Sequence, residues 1–161
     1  MSMSLERNKA VIRRCFEAFN RQNLDALDKF IAPDYVDHPR QFRGLEIYKQ
    51  HLAMFYRSFP DSHETIEDII AEGDKVWIHI KGTGTHKGEY RGLAPTGKKI
   101  TWEAVSIYRI VDGKVAELLY AVAEMNFLKQ LGVIEYTEKG KKLFPEEISP
   151  YTASWRQPKA P

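Results

Sequence analysis

A chain of 161 residues, 43% hydrophobic and 12% aromatic, can bury one substantial core and is too short for two comfortable domains. Its 24 basic and 22 acidic residues, net charge +2, are spread along the chain, so no positive stripe stands ready for phosphates and nucleic acid is not an expected partner. The first residues lack the apolar core of a signal peptide, no run of about 18 apolar residues follows, and Cys15 alone forms no internal disulfide, so a cytoplasmic protein without a membrane span is expected.

Ser4 can cap a first helix in which Leu5, Val11, Ile12, Cys15, Phe16 and Phe19 recur at spacings of three and four, one apolar stripe facing a core. Asn23 can cap a second helix with Leu24, Leu27, Phe30 and Ile31 on one face, stopped by Pro33. Tyr35 to Pro39 is a short extended segment, because the residue before a proline is pushed toward β geometry. A third helix runs from about Leu45 to Phe59, with Ile47, Leu52, Met54, Phe55 and Phe59 as its apolar set.

From Ser62 the period changes to two. Glu64 to Ile70 and Lys75 to Thr85 read as strands about a turn at Glu72-Gly73-Asp74, with Val76, Ile78 and Ile80 alternating with Trp77, His79 and Lys81. A glycine-rich connection follows, and then two long strands, Lys99–Val111 and Lys114–Ala123, joined at Asp112-Gly113, the strongest short hairpin signal in the chain. Strands this long must twist and curl, so the hairpin makes a natural cavity wall. A helix, Glu124–Leu131, ends at Gly132. The order predicts an α+β fold: a cone-shaped, curved antiparallel sheet packed against three N-terminal helices. Residues 1–134 are expected to form one domain and 135–161 an extension lying on it or on a partner.

The segments FEAFNRQNLDALDKFIAPDYVDHP (Phe16–Pro39), FPDSHETIEDIIAEGDKVWIHIKGTGTHKGEYRGLAPTGKKI (Phe59–Ile100), YRIVDGKVAE (Tyr108–Glu117) and FLKQLG (Phe127–Gly132) closely resemble the SnoaL-like polyketide cyclases, of the nuclear-transport-factor-like, cystatin-like cone fold. The resemblance implies a ligand pocket between the helices and the concave sheet. It also implies intramolecular aldol closure of a polyketide ester by an acidic residue and hydrogen-bonding partners, without metal or cofactor. In the family pattern an aspartate follows the glutamate of a Glu-x-Trp motif by six residues on the last strand; here Glu117 matches the glutamate, Leu119 stands at the tryptophan and Ala123 at the aspartate.

Proton removal beside a carbonyl needs a carboxylate or imidazole whose pKa burial has moved toward neutrality, and donors aimed at the enolate oxygen. With Ala123 at the family's acid position, the candidate bases are His38, beside Tyr35 and Asp37, and Glu124 at the start of the last helix. By parity, Trp102, Ala104, Ser106 and Tyr108 form one lining face, continued by Leu119, Ala121 and Ala123; Phe16, Tyr35 and Phe55 complete the expected pocket, mostly apolar with a few hydroxyls. His79 belongs to the outer face, His86 to a turn, and His51 and His63 carry no pattern. No HxH, HExxH or CxxC spacing predicts a metal. Two readings stay open: a cofactor-independent cyclase or isomerase, and a non-catalytic receptor for a small apolar or polyketide-like molecule. Either is expected to be a homodimer whose sheets meet through the face of Trp77, His79 and Lys81.

Overall fold

The computed structural model describes residues 2–122 and 124–143, without the side chains of 2, 3, 120–125 and 143. Helix α1 (Ser2–Asn20) follows the predicted stripe: Ile12, Cys15, Phe16 and Phe19 are buried at spacings of three and four. A short 3₁₀ turn, Asp25–Lys29, takes the place of the predicted second helix. The Asn23 carboxamide oxygen accepts the Ala26 N–H (3.1 Å), as expected of a cap, but the Phe30 carbonyl accepts the N–H of Val115 (2.8 Å), which draws the chain from Ile31 onward into the sheet. Strand β1 (Ile31–Asp37) and the two-residue β2 (Phe42–Arg43) result, and α2 (Leu45–Ser58) comes next. On α2 the inward residues include Leu45 and Tyr48, while Ile47 and Met54, assigned to the apolar set from spacing, are exposed.

Strands β3 (His63–Glu72), β4 (Lys75–Thr85), β5 (Lys99–Val111) and β6 (Lys114–Val122) form the predicted meander. The sheet has six strands in the order β2-β1-β6-β5-β4-β3, and β1 lies parallel to β6, so it is mixed where an all-antiparallel sheet was expected. Asp112 and Gly113 both have positive φ (49° and 75°), the geometry of the two-residue turn their sequence selects. Helix α3 (Glu124–Leu131) docks on β5 through Gln130, whose amide donates to the Thr101 carbonyl (2.8 Å) and accepts the Thr101 N–H (2.9 Å), imitating a strand neighbour. A last helix, α4 (Glu138–Leu143), lies within the predicted extension; the remainder of that extension, 144–161, is outside the described residues.

Two buried clusters fill the space between helices and sheet. The larger joins Ile12, Phe16, Phe19 and Tyr48 to Ile78, Tyr108 and Leu118; the smaller gathers Phe59, Ile100, Trp102, Phe127 and Leu131. At about 1.5–3 kcal/mol for each large apolar side chain taken from water, these clusters supply the main drive to fold. Among the described residues no helix is long and apolar enough to cross a membrane.

Candidate functional site

Helices α1 and α2 do not fill the concave side of the sheet. A cavity of about 190 Å³ remains between Phe16, Phe19 and Asn20 of α1, one face of α2, and inward residues of β3 to β6. Phe16, Phe55, Trp102, Ser106 and Tyr108, expected in the lining, lie in it. Tyr35 does not: it is buried one layer behind, its ring 4.9 Å from that of Tyr48, which does line the cavity.

The continuation on β6 differs from the parity reading. Val111 pairs with Lys114 and Ile110 with Val115, but Arg109 pairs with Glu117, so Ala116 is an extra residue on β6. A bulge of one residue exchanges the faces of everything beyond it. Leu118 therefore turns inward and lines the cavity, whereas Leu119 pairs with Ile107 and is 46% exposed on the outer face. Ala123 and the side chain of Glu124 lie outside the described residues.

His38 stands outside the cavity. Its Nε2 is 2.9 Å from Glu117 Oε2, its side chain is 46% exposed, and Arg109 holds the other oxygen of the same carboxylate. Glu117 is consequently held below the usual carboxylate range, first by Arg109 and then by His38. His38 thus belongs to a partly exposed cluster with Glu117 and Arg109, apart from the cavity lining.

The carboxylate inside the cavity is Glu64, a residue not singled out from the sequence. Asn20 fixes its backbone on both sides, the carboxamide donating to the Glu64 carbonyl (2.8 Å) and accepting the Glu64 N–H (2.8 Å). The Trp102 indole Nε1–H donates to Glu64 Oε1 at 2.8 Å. Glu64 keeps some surface toward the cavity while protein encloses the carboxyl elsewhere. That desolvation raises its pKa, against the opposing pull of the Trp102 bond, Arg40 and His63. A sequence signal for it exists: Glu64 shares the parity of inward Ile66 on β3.

Around it stand Tyr56, Tyr108, Ser106, Tyr48 and His51. Burial raises the phenols of Tyr48, Tyr56 and Tyr108, so they remain donors at neutral pH, and the Tyr56 hydroxyl is buried without a protein partner. His51 is pushed down to about 4, first by burial and then by Arg40 and Arg91, so its imidazole is neutral. Both arginines line the cavity, which is therefore more polar than the predicted lining of aromatics, alanines and hydroxyls. His86 is buried in the β4–β5 connection, where its Nδ1 accepts the Thr96 N–H (3.2 Å) and its N–H and carbonyl pair with Lys98 and Gly97; it shapes the loop that carries Tyr90 and Arg91. Cys15 is buried, its thiol pushed up to about 12 by desolvation, which makes it inert as a nucleophile. Among the described residues no three His, Cys, Asp or Glu side chains converge as metal ligands.

The site is thus a cavity between a curled sheet and its helices, with Glu64 as the one carboxyl group among the described lining residues. The chain belongs to the SnoaL-like polyketide cyclase family, whose profile matches residues 9–131. It is 29% identical over 112 residues to the aklanonic acid methyl ester cyclase AcmA of Streptomyces galilaeus, covering 66% of this chain and 77% of that one. It is 28% identical over 120 residues to the nogalonic acid methyl ester cyclase of Streptomyces nogalater, covering 71% and 90%. Among solved structures, IdmH of Streptomyces antibioticus superposes with a TM-score of 0.67 at 30% identity, over 78% of this chain and 99% of that one. AclR of Streptomyces galilaeus, a hydroxylase candidate, reaches 0.74 at 29% identity, over 84% and 87%.

Proposed function

We propose that this protein is an acid–base catalyst of the cofactor-independent cyclase type, acting on a small polyketide-like carbonyl compound, with Glu64 as its base. The observation that carries this reading is the enclosed Glu64 carboxyl, held by Trp102 at 2.8 Å and raised in pKa by burial. A carboxylate so placed takes a proton from carbon beside a carbonyl: the C–H bond breaks and its electron pair moves into the enolate. The enolate carbon then attacks a second carbonyl of the same molecule, forming the C–C bond, and the alkoxide recovers the proton from Glu64. Tyr56 and Tyr108 are the donors available to the developing oxygen charge. The ester cyclases among the relatives favour this reaction class. A groove of about 380 Å³ shares Tyr90, Arg91 and Phe127 with the cavity and gives a longer substrate room to extend between the β4–β5 loop and α3.

The test is Glu64→Gln, which keeps shape and the indole hydrogen bond while removing the base. Against a panel of keto esters that the wild type converts, turnover should fall about 10²–10⁴-fold with the circular dichroism unchanged. Unchanged turnover would remove Glu64 from the reaction. The receptor reading rests on Ala123 at the family's acid position; it is preferred if the wild type binds such compounds and converts none.

The protein also fits a homodimer in the cytosol. Ile70, Trp77, Ile107 and Leu119 fall in one register row across the outer face of β3, β4, β5 and β6, and Ile70, Trp77 and Leu119 are exposed. A continuous apolar row suits a second copy related by a twofold axis.

A further inference from the structure

Two arginines and a histidine are among the residues that line the cavity. Arg40 reaches it from the turn after β1, Arg91 from the loop between β4 and β5, and His51 from the first half of α2. Three segments distant in sequence thus bring nitrogen groups to one place. Arg40 is anchored by Asp37, whose carboxylate accepts the Arg40 backbone N–H (2.9 Å) and Nη1–H (2.6 Å). Asp37 is wholly buried and does not line the cavity, so it fixes the guanidinium from behind. Arg40 itself lines the cavity, whereas its partner Asp37 does not. Arg91 stands at the rim with a positive φ of 51°, within the Tyr90–Leu93 bridge, its guanidinium 5.4 Å from the Tyr90 ring centre.

Two carboxylates oppose this charge: Asp37, which pairs with Arg40 from behind the lining, and Glu64 within it. Among the described lining residues Glu64 is the only carboxylate, and burial disfavours its ionised form. The groups facing His51 are Arg40 and Arg91, which oppose its protonation, and Asp37, which favours it; Phe42 packs on the ring at 6.0 Å. A neutral imidazole under the influence of two guanidiniums offers one N–H donor and leaves the positive charge to the arginines. Phe55, Trp102 and Phe127 add an aromatic wall to the lining.

We propose that Arg40, His51 and Arg91 form an anion subsite, and that the molecule taken by this protein is an aromatic or polyketide body carrying a free carboxylate. This names the substrate class for the Glu64 reading, and it rests on that reading only for the chemistry after binding. It also separates this chain from relatives named for methyl esters, since a guanidinium pair rewards a charge that esterification removes.

The test compares benzoate and 2-naphthoate with their methyl esters by calorimetry at neutral pH, alongside histidine NMR titration. The acids should bind about tenfold or more tighter than the esters. Saturating carboxylate should move the His51 pKa upward from about 4 by about one unit or more, because an anion replaces part of the opposing positive field. Arg91→Gln should erase the preference for acid over ester at unchanged melting temperature, and Arg40→Lys, which keeps the charge on Asp37, should weaken it. Equal binding of acid and ester, an unmoved His51, or no binding of either acid at millimolar concentration overturns the subsite. Glu64→Gln should leave carboxylate binding intact, so loss of turnover there and loss of anion preference at Arg91 fail independently.

Discussion

The indole of Trp102 lies over Gly82, and the side chain missing at Gly82 is what lets the indole reach Glu64. The three residues occupy one register row: Glu64 pairs with Gly82 across β3 and β4, and Gly82 with Trp102 across β4 and β5. A Cβ built on Gly82 would stand 2.0 Å from Cε2 of Trp102 and 2.1 Å from its Nε1, distances no packed structure tolerates. A residue with no side chain in the middle of a strand thus becomes the floor on which a donor crosses to the buried acid.

Gly82→Ala is therefore expected to evict the indole. Overpacking of this kind costs about 1–3 kcal/mol, and the Glu64 carboxyl also loses the hydrogen bond that holds its pKa down. Two readouts report this: a lowered unfolding midpoint and a shift of any Glu64-dependent rate profile toward higher pH. An alanine variant with native stability and an unmoved profile would show that the Trp102 to Glu64 contact is not maintained in solution.

Stability should also depend on pH through His51. Its pKa in the fold is about 4 against an ordinary 6.5, so the fold prefers the neutral imidazole while the unfolded chain protonates first. The contribution is fully present above 6.5 and is lost as pH falls toward 4. Glu64 works the other way: its raised pKa makes its contribution present below the ordinary carboxylate value and lost as pH rises through the folded one. Urea unfolding in a Glu64→Gln background removes the opposing carboxyl, and there the free energy should begin to decline as pH falls below 6.5, before carboxylates held low, such as Glu117, contribute near their ordinary value. His51→Gln in the same background should flatten that decline. A decline that persists without His51 would assign it elsewhere.

Much of the fold is legible in the sequence because its signals are local. Asp112-Gly113 marks a two-residue turn through its own backbone preference, and the alternation of Val76, Ile78 and Ile80 sets the inward face of β4 without reference to any neighbour. Sequence expectation fails where a distant partner decides. Phe30 and Ile31 carry helical spacing, yet the N–H of Val115, far along the chain, captures the Phe30 carbonyl and turns the segment into a strand. The parity of β6 is inverted by Ala116, a bulge residue with no sequence mark, and with it the assignment of Leu119. The site is less legible still. The family's acid position points to β6 and its replacement to His38, while Glu64 sits on β3 at the parity of Ile66, and only the register of three strands shows that it meets Trp102.

The outer face of the sheet supports the last prediction. Trp77 sits between Ile70 and Ile107 in the register row that ends at Leu119, and it remains 43% exposed. His79 and Lys81, one and two inward-outward periods along β4, face Glu103 of β5 at 3.6 and 4.0 Å, giving the apolar row a charged border. An apolar centre with a polar rim is how a stable interface is built, and a tryptophan at the centre is the side chain whose loss costs most. Trp77→Glu should weaken self-association by about 2–4 kcal/mol, about 30- to 1,000-fold in Kd, while the monomer keeps its fold because the side chain points away from both buried clusters. Light scattering across micromolar concentrations checks it. A wild type already monomeric there, or a Trp77→Glu variant that remains a dimer, would remove the outer face of the sheet as the place where two copies meet.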